Sequence, residues 1–291
     1  SQGRNTRIFG VIGNPISHSL SPLIHNAAIA NHGLDAVYVP FLVQDPVRFW
    51  QACGRFIDGL SITIPHKHDL IPLMDSLEPL VGRIGAMNTI WRDGDGRTIG
   101  ANTDAVAAMA CVEGQAGSLH DRRVTLLGAG GVSRAIAFAL ADRGAQVTIA
   151  NRSPDRAATL AAEVGCRSVG YHEAAAEAYD VLINGTSVGM SAPGDTPWPT
   201  PAHRREAVVF DTVYVPLETR LIKEAQLAGA ATVCGLSMFI GQAAEQYRRF
   251  FGRTAPVELM QRVALERLEA RQRGDLRKPG TEGLEMTLGG G

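Results

Sequence analysis

The 291-residue sequence has no excess of charge of either sign and no long hydrophobic run. Its 28 Lys and Arg residues nearly balance 29 Asp and Glu residues, so the formal net charge is −1. A near-neutral chain lacks the broad positive potential with which proteins bind nucleic acid or anionic membranes. No stretch of about 20 uncharged apolar residues occurs, so no segment is predicted to span a membrane. We therefore expect no nucleic-acid partner and no membrane partner, while a local basic patch for a small anion stays open.

Cysteine is also scarce. The four cysteines stand far apart in the sequence: Cys53, Cys111, Cys166 and Cys234. Without a CxxC or Cys/His spacing, neither a zinc ribbon nor a redox pair is indicated, and we expect buried, reduced thiols. His66 and His68 are two residues apart, which does not place them on one helix face, so no metal site is expected. The polar N-terminus leads into an apolar run too short for a signal peptide, and we predict a cytoplasmic protein.

Apolar residues are plentiful, and their spacing alternates between two periods. Hydrophobic residues make up 45% of the chain, enough to bury a sizeable core. Short apolar runs predict strands at 8–12, 36–41, 59–64, 89–92, 124–127, 146–150, 181–184, 208–212 and 231–234. Longer patterns predict helices at 22–32, 46–55, 104–113, 132–144, 154–164, 219–227, 236–251 and 256–272. Strands separated by helices indicate βαβ units, and continuous apolar strands indicate a parallel sheet covered on both faces, so we predict an α/β fold.

The length predicts two domains, at about 150 residues each. A fresh strand–glycine–helix unit follows residue 104, so residues 1–104 are predicted to form a first domain and residues 105–235 a second. Two late helices within residues 236–272 are followed by no predicted strand and can return to the first domain. Residues 273–291 have turn residues and no periodicity, which predicts a disordered tail.

A glycine-rich turn lies near the start of the second domain. It follows the strand at 124–127 and consists of Gly128, Ala129, Gly130, Gly131 and Val132. Glycine at 128 permits a tight turn, glycine at 130 lets the backbone approach a pyrophosphate, and the helix N-terminus offers N–H groups to its oxygens. The third glycine of the usual pattern is replaced by serine, but a second strand about 20 residues on completes the βαβ unit. The turn predicts a dinucleotide cofactor, and the alternative is an ordinary strand–helix turn.

The tip of that second strand bears on which dinucleotide binds. Folds specific for NAD place a carboxylate there for the ribose 2′-hydroxyl, whereas this chain has Asn151, Arg152, Ser153 and Arg156. Arg152 can make bidentate contacts with a 2′-phosphate, and Ser153 before a proline is also a good helix cap. These residues favour NADP over NAD.

Polar clusters end several strands of the first domain. Ser19 and Ser21 precede a helix, where they either cap it or hold a carboxylate, and the residues alone leave both interpretations open. Lys67 falls in the first turn of a helix that we predict to begin at Pro65. The helix dipole disfavours a cation there, so Lys67 is either simply solvated or functional.

Two further residues complete this group. Asp104 is either a helix N-cap or, together with Lys67, half of a proton-relay pair. Asn88 would then be a rigid hydrogen-bonding group beside the pair. The residue types suit proton transfer, but local spacing does not decide between the two interpretations.

Taken in order, these segments resemble the shikimate dehydrogenase family, including its shikimate/quinate relatives. The resemblance covers about residues 6–272. It rests on GNPISHSLSPLIHN (13–26), TIPHK (63–67), GAMNT (85–89), GANTD (100–104), GAGGVSRA (128–135), NRS (151–153), NGTSVGM (184–190), DTVYVPLETRL (211–221) and GLSMFIGQAAEQ (235–246). It implies an N-terminal α/β substrate-binding catalytic domain completed by C-terminal helices, a Rossmann-type NADP-binding domain, and a cleft between the two.

The resemblance also implies the reversible reduction of 3-dehydroshikimate to shikimate by NADPH, on the route to chorismate and the aromatic amino acids. Lys67 and Asp104 would be the catalytic pair, with Lys67 passing the proton to or from the C3 oxygen. The substrate-binding residues would be Ser19, Ser21, Thr63, Asn88, Tyr214 and Gln242. The glycine-rich turn and the 151–156 tip would bind the cofactor together with Asn184, Thr186, Val213, Gly235 and Met238. We expect a monomer or a homodimer.

The chain departs from the family's pattern at a few positions. Many members have Asn where this chain has Ser61, and the usual NATS and Gly-Met-Leu segments differ at Gly185, Ser237 and Phe239. These differences bear on hydroxyl recognition and nicotinamide packing. A quinate/shikimate dehydrogenase that uses quinate or NAD is therefore the alternative. A non-catalytic metabolite sensor is a second alternative, against which the intact Lys/Asp pair argues.

Overall fold

The computed structural model of the protein describes residues 6–273. Within them the chain forms two six-stranded sheets covered by α-helices, which confirms the predicted α/β class. Apart from Arg273, the predicted tail of residues 273–291 lies outside the described residues.

The first sheet is mixed. Its strands are β1 (Arg7–Gly13), β2 (Ala36–Leu42), β3 (Gly59–Ile62), β4 (Ser76–Leu77), β5 (Thr89–Arg92) and β6 (Thr98–Ala101). In the order β2-β1-β3-β5-β6-β4, the first three strands run parallel, and β5 runs antiparallel to both of its neighbours. The helices of this part are α1 (Ser21–Asn31), α2 (Pro46–Cys53), α3 (Pro79–Ile84) and α4 (Thr103–Ala116), with 3₁₀ turns at Gly54–Phe56 and Ile71–Leu73.

The second sheet is entirely parallel. Its strands are β7 (Arg123–Leu127), β8 (Gln146–Ala150), β9 (Arg167–Val169), β10 (Val181–Asn184), β11 (Val208–Asp211) and β12 (Ala231–Val233). Its helices are α5 (Gly131–Asp142), α6 (Pro154–Val164), α7 (Tyr171–Ala176) and α8 (Arg220–Leu227), with a 3₁₀ turn at Thr200–Ala202. The order β12-β11-β10-β7-β8-β9 changes direction between β10 and β7. In open parallel sheets, ligands bind outside the carboxyl ends of the strands at such a switch point.

The last two helices pack against the first sheet and its helix α1. Helices α9 (Gly235–Phe251) and α10 (Val257–Gln272) share a buried core with β1 and α1, in which Phe9 and Ile24 pack with Tyr247 and Met260. Helix α9 also packs along α4. The predicted boundary between the two domains, after residue 104, falls inside α4 (Thr103–Ala116). The division of the chain into domains at residues 104 and 235 stays a prediction.

One sequence prediction in the first domain is wrong. Residues 63–70 form turns instead of the helix expected from Pro65. The Lys67 carbonyl accepts a hydrogen bond from the Met87 N–H over 2.8 Å, and the Ile71 N–H, four positions after Lys67, donates to the His68 carbonyl instead. A helix requires that i to i+4 bond, and the long-range partner therefore decides the local structure.

The structure also contains short elements that the apolar pattern does not reveal. These are β4, β6, β9, α3 and α7, each of two to six residues. Segments of that length are too short to show a hydrophobic period. The four cysteines are free and half-buried, so they are less buried than expected.

Candidate active site

The ion pair between Lys67 and Asp104 lies where the first sheet meets α4. Lys67 Nζ donates to Asp104 Oδ2 over 2.5 Å, and the two side chains are 16% and 12% exposed. Lys67 belongs to the turn after β3, and Asp104 is the second residue of α4. The geometry therefore presents an ammonium proton donor in a site that largely excludes water.

The start of α4 leaves the Asp104 carboxylate available to Lys67. Asn102 caps the helix, since its side-chain oxygen accepts from the Ala105 N–H over 3.2 Å. Asn102 also donates to the Ala86 carbonyl over 3.0 Å, which ties the helix start to the preceding loop. An N-cap side chain satisfies an unpaired N–H of the first turn, and here Asn102 does so. The interpretation of Asp104 as the N-cap is therefore wrong.

Asn88 is held rigidly beside this pair. Its side-chain oxygen Oδ1 accepts from the Thr103 N–H and from the Thr89 hydroxyl, each over 2.8 Å. Its Nδ2 donates to Thr103 Oγ1 over 2.9 Å, and the residue is 2% exposed. These bonds determine which side of the carboxamide carries the oxygen. Since Thr103 precedes Asp104, the same bonds connect Asn88 to the start of α4.

The first serine cluster and Thr63 lie at one edge of the first sheet. Ser19 Oγ accepts from the Ser21 N–H over 3.3 Å. Leu20 occupies the N-cap position of α1, and within residues 6–273 no side chain forms a cap bond there, which leaves the capping interpretation of Ser21 without support. A Cβ built on Gly13 would lie 2.5 Å from Thr63 Cγ2, so the carboxyl ends of the parallel strands β1 and β3 adjoin.

An aromatic contact links the second sheet to α9. The Tyr214 ring stacks on Phe239 with centroids 4.9 Å apart and planes at 24°. Gln242 Nε2 donates to the Phe239 carbonyl over 2.9 Å, and burial raises the pKa of Tyr214. Phe239, one of the departures from the family's pattern, therefore packs directly against the predicted pocket residue Tyr214.

The glycine-rich turn has the geometry that a pyrophosphate requires. Gly128 has φ +105°, a left-handed conformation that L side chains rarely adopt. A Cβ on Gly130 or Gly131 would meet open space, and α5 starts there without a side-chain cap among the described residues. Ala129 and Val132 are half-buried against the core of this domain. The uncapped N–H groups of the helix and the open cradle fit a dinucleotide.

The strand tip after β8 presents two exposed arginines, Arg152 and Arg156. Asn151 Nδ2 donates to the Ser153 carbonyl over 3.1 Å, which shapes the tip. Ser153 occupies the N-cap position of α6, but within residues 6–273 its side chain forms no cap bond. Exposed guanidinium groups and an uncapped helix start are the donors that a 2′-phosphate prefers.

A buried polar network joins the ends of β10 and β11. Asn184 donates to Asp211 Oδ1 over 2.9 Å, and its Oδ1 accepts from the Thr186 N–H and hydroxyl. Asp211 also accepts from the Val213 N–H over 3.0 Å and from the Thr219 hydroxyl over 2.6 Å. Burial raises the pKa of Asp211. Because its amide is engaged inside the protein, Asn184 shapes the loop that follows it.

Helix α9 begins against this network. A Cβ on Gly235 would lie 2.4 Å from the Thr212 carbonyl oxygen and 2.6 Å from that of Val213, so only glycine allows the backbones to approach this closely. Met238 follows within the first turn and is 6% exposed. The helix start therefore adjoins the carboxyl end of β11, where the sequence predicts the nicotinamide side.

Sequence reasoning assigns no role to three buried residues with polar groups, namely Tyr38, Asp211 and Gln246. The Tyr38 hydroxyl donates to Ser61 Oγ, and Ser61 donates to Gln246 Oε1. Asp211 and Gln246 stand in the quoted motifs DTVYVPLETRL and GLSMFIGQAAEQ, so a signal existed for both. Tyr38 lies in an apolar strand, where nothing in the local pattern distinguishes it from a core residue.

The histidines beside Lys67 have partners within the protein. His66 Nε2 lies 2.7 Å from the Val43 carbonyl oxygen, and His68 Nδ1 lies 2.5 Å from that of Gly85. Among residues 6–273, no group of three or more His, Cys, Asp and Glu side chains is arranged to hold a metal. No helix in this part of the chain is long and apolar enough to cross a bilayer.

Three protein-family models match the chain in consecutive segments. The shikimate dehydrogenase substrate-binding domain matches residues 11–90. The shikimate/quinate 5-dehydrogenase family matches residues 110–192, and the shikimate 5′-dehydrogenase C-terminal domain matches residues 235–265.

Individual relatives agree with these matches. Shikimate dehydrogenase (NADP(+)) of Methanosarcina acetivorans is 40% identical over 281 residues, with 91% of this chain and 99% of the relative covered. The chloroplastic bifunctional 3-dehydroquinate dehydratase/shikimate dehydrogenase of Arabidopsis thaliana is 39% identical over 279 residues, 88% of this chain, and the match spans 46% of that protein's length.

Solved structures have the same fold. Shikimate 5-dehydrogenase of Thermus thermophilus, in complex with NADP(H) and shikimate, gives a TM-score of 0.82 at 34% identity, with 89% of this chain and 99% of that chain covered. Quinate dehydrogenase of Corynebacterium glutamicum, in complex with NAD, also gives a TM-score of 0.82, at 31% identity and with 90% and 99% covered. The chain therefore belongs to the shikimate dehydrogenase family.

Proposed function

We propose that this protein catalyses the reversible, NADP-dependent reduction of 3-dehydroshikimate to shikimate, a step toward chorismate and the aromatic amino acids. The observation that carries the proposal is the Lys67–Asp104 pair, 2.5 Å apart and largely buried. Reduction of a ketone leaves negative charge on its oxygen, and a cationic proton donor within hydrogen-bond reach lowers that barrier. The names of the relatives support the substrate and the cofactor.

NADPH supplies the hydride for the carbonyl carbon when it is bound. Lys67 donates a proton from Nζ to the carbonyl oxygen, becomes neutral and regains a proton from water. Asp104 orients the Lys67 ammonium through their 2.5 Å bond, so the proton donor does not need to reorganise during the reaction. In the reverse direction, Lys67 accepts the proton of the C3 hydroxyl.

The polar residues around the pair bind the substrate. The hydroxyl groups of Ser19 and Ser21, at the start of α1, bind the carboxylate of the substrate. The ring hydroxyls are bound by Thr63, Asn88 and Gln242, while Tyr214 lines the pocket. The rigid hydrogen bonding of Asn88 supports its place in this set, since its Nδ2 carries a second hydrogen that the bond to Thr103 does not use.

The second domain holds the cofactor. The pyrophosphate rests on the turn of Gly128, Ala129, Gly130, Gly131 and Val132. The adenosine 2′-phosphate is bound at the tip of Asn151, Arg152, Ser153 and Arg156. The path toward the nicotinamide is lined by Asn184, Thr186, Val213, Gly235 and Met238. The uncapped start of α5 and the exposed arginines support this assignment.

Steady-state kinetics of Lys67→Ala test the proposal. We expect kcat with shikimate to fall by about 10²–10⁴-fold, the usual contribution of a positioned acid or base, while the KM for NADP changes little. Lys223→Ala is the matched control, because Lys223 is an exposed lysine of α8. An unchanged kcat in Lys67→Ala would remove Lys67 from the mechanism.

Quinate oxidation is a second candidate activity. It is favoured by the similarity to a quinate dehydrogenase in complex with NAD and by the departures at Ser61, Gly185, Ser237 and Phe239. Rates with shikimate and with quinate, each measured with NADP and with NAD, separate the two candidates. Quinate turnover comparable to that of shikimate would favour the second. The Lys/Asp pair is intact, which argues against a sensor without catalysis.

Three further expectations belong to this proposal. Residues 1–104 with 236–272 form the substrate-binding part, and residues 105–235 form the cofactor-binding part, with the reaction in the cleft between them. The protein acts in the cytoplasm, and it is a monomer or a homodimer. Size-exclusion chromatography with light scattering tests the last point.

A further inference from the structure

A buried chain of hydrogen bonds runs from the first sheet to α9, and the mechanism above does not use it. The Tyr38 hydroxyl donates to Ser61 Oγ over 2.6 Å, and Ser61 donates to Gln246 Oε1 over 2.9 Å. Gln246 Nε2 then donates to Thr89 Oγ1 over 3.1 Å and to the Asn88 carbonyl oxygen over 3.3 Å. Ser61 is 4% exposed and Gln246 2%. Water therefore cannot replace these bonds easily, and each one matters for the order of the site.

Gln246 bridges two strands at one point of the sheet. Ser61 of β3 and Thr89 of β5 are directly opposite each other in the antiparallel pairing. A carboxamide accepts and donates in one plane, so the Gln246 side chain can take a hydrogen from Ser61 and give one to Thr89.

We propose that Gln246 is a positioning residue that joins β3 to β5 from α9 and thereby holds Asn88 in the orientation that binds substrate. This proposal rests on the proposed function, in which Asn88 binds a hydroxyl group of the substrate. Gln246 itself acts only through Thr89 and Asn88.

The direction of the hydrogen bonds explains how the effect reaches Asn88. Because Gln246 Nε2 donates to the Thr89 hydroxyl oxygen, Thr89 directs its single hydrogen to Asn88 Oδ1, at 2.8 Å. The same Oδ1 accepts from the Thr103 N–H, so the oxygen of the carboxamide faces the protein. Thr103 Oγ1 lies 2.9 Å from Nδ2 and 3.2 Å from Oδ1, so this contact uses one of the two N–H groups of Nδ2 and leaves the other for a substrate hydroxyl.

Replacement of Gln246 by an apolar residue of similar size tests the proposal. In Gln246→Leu, Thr89 loses the donor that directs its hydrogen, so Asn88 loses its preferred orientation. We expect the KM for shikimate to rise about 3–10-fold, the range of a lost neutral hydrogen bond, while kcat and the KM for NADP stay within about twofold. The double variant Ser61→Asn/Gln246→Leu returns an amide to the sheet, and we expect it to restore the KM to within about twofold of the original value.

Tyr247→Phe is the matched control for a purely structural effect. Tyr247 is the next residue of α9 and is fully buried, and its hydroxyl bonds His32 Nδ1 over 2.8 Å rather than the Asn88 network. We expect this variant to lose stability but to keep the KM for shikimate. An unchanged KM in Gln246→Leu, an equal rise in Tyr247→Phe, or no rescue in the double variant would each overturn the proposal.

Amide hydrogen exchange at Thr103 provides a readout that does not depend on activity. Thr103 is the first residue of α4, and its N–H donates to Asn88 Oδ1, so its protection reports the orientation of the Asn88 carboxamide. We expect its exchange to be at least about fivefold faster in Gln246→Leu and unchanged in Tyr247→Phe. Equal exchange in the original protein and in Gln246→Leu would refute the proposal. If the leucine variant does not fold, Gln246→Met replaces it.

This readout also separates the two proposals. An original protein without activity on shikimate refutes the proposed function, and Thr103 exchange then still decides the role of Gln246. Normal shikimate activity with no response to Gln246→Leu refutes only the positioning role.

Discussion

His25 gives the protein a pH-dependent stability that can be worked out from its surroundings. The His25 ring is 0% exposed and stacks on Tyr38 with centroids 4.3 Å apart. Burial lowers the pKa of His25 to about 3, compared with about 6.5 in an unfolded chain, and neither ring nitrogen has a hydrogen-bond partner among residues 6–273. Below pH 6.5 the unfolded chain therefore takes up a proton that the folded protein does not. The stabilising contribution is fully present above about pH 6.5 and is lost as the pH falls toward about 3.

The size of the effect follows from the difference between the two pKa values. Each pH unit between them is worth about 1.4 kcal/mol of unfolding free energy. Between about pH 7.5 and pH 5 the expected loss is therefore about 2 kcal/mol. His25→Phe removes the titrating group and keeps an aromatic ring against Tyr38, so the variant should not show this loss.

Urea unfolding followed by circular dichroism measures the effect at several pH values. Subtracting the unfolding free energy of His25→Phe from that of the original protein cancels the other titrating groups. We expect this difference to shift by about 2 kcal/mol in favour of the variant between about pH 7.5 and pH 5. A pH-independent difference for His25→Phe would show that the ring takes up a proton as readily in the folded protein as in the unfolded chain, and would refute the reasoning.

Two further predictions concern the cofactor side. Arg152→Ala removes an exposed guanidinium group from the tip after β8. We expect the KM for NADP to rise about tenfold and the KM for NAD to stay the same. An equal rise in both KM values would contradict a role of Arg152 at the 2′-phosphate. In Gly235→Ala the new Cβ would lie 2.4 Å from the Thr212 carbonyl oxygen, so α9 must shift. We expect the free energy of unfolding, measured with heat or urea, to fall by about 1–3 kcal/mol and kcat to fall as well. If neither value changes, the backbone at this position is free to adjust.

Much of the second domain was predictable because its signals are local. The strand, glycine turn and helix around Gly128 are contiguous in the chain, and their conformation depends mainly on residues within one turn of each other. The same is true of Arg152, which follows a strand whose end is visible in the apolar pattern. These predictions needed only the periods of the two kinds of element and the known preferences of glycine.

The turn at Pro65 shows where local preference is insufficient. Proline at that position suits the start of a helix, yet the Lys67 carbonyl pairs with Met87, twenty residues further on in the chain. The assignment of Asp104 as a helix cap failed in a similar way, because Asn102 provides the cap and Lys67 takes the carboxylate. Residue type predicted a helix at Pro65 and left two interpretations open for Asp104, and in both cases the hydrogen-bond partners in the fold decided the outcome.

The order of the residues alone was enough to identify the α/β alternation, the strand–glycine–helix turn and the family, since each depends on neighbours in the chain. The arrangement of the proposed reaction centre required the fold. Lys67 and Asp104 are 37 residues apart, and Ser61 and Gln246 are 185 residues apart. Sheet order and the return of α9 bring such residues within hydrogen-bond distance, and no local spacing encodes that packing. The physical reason is that a buried hydrogen bond needs its partner within about 3 Å, which only the tertiary structure decides.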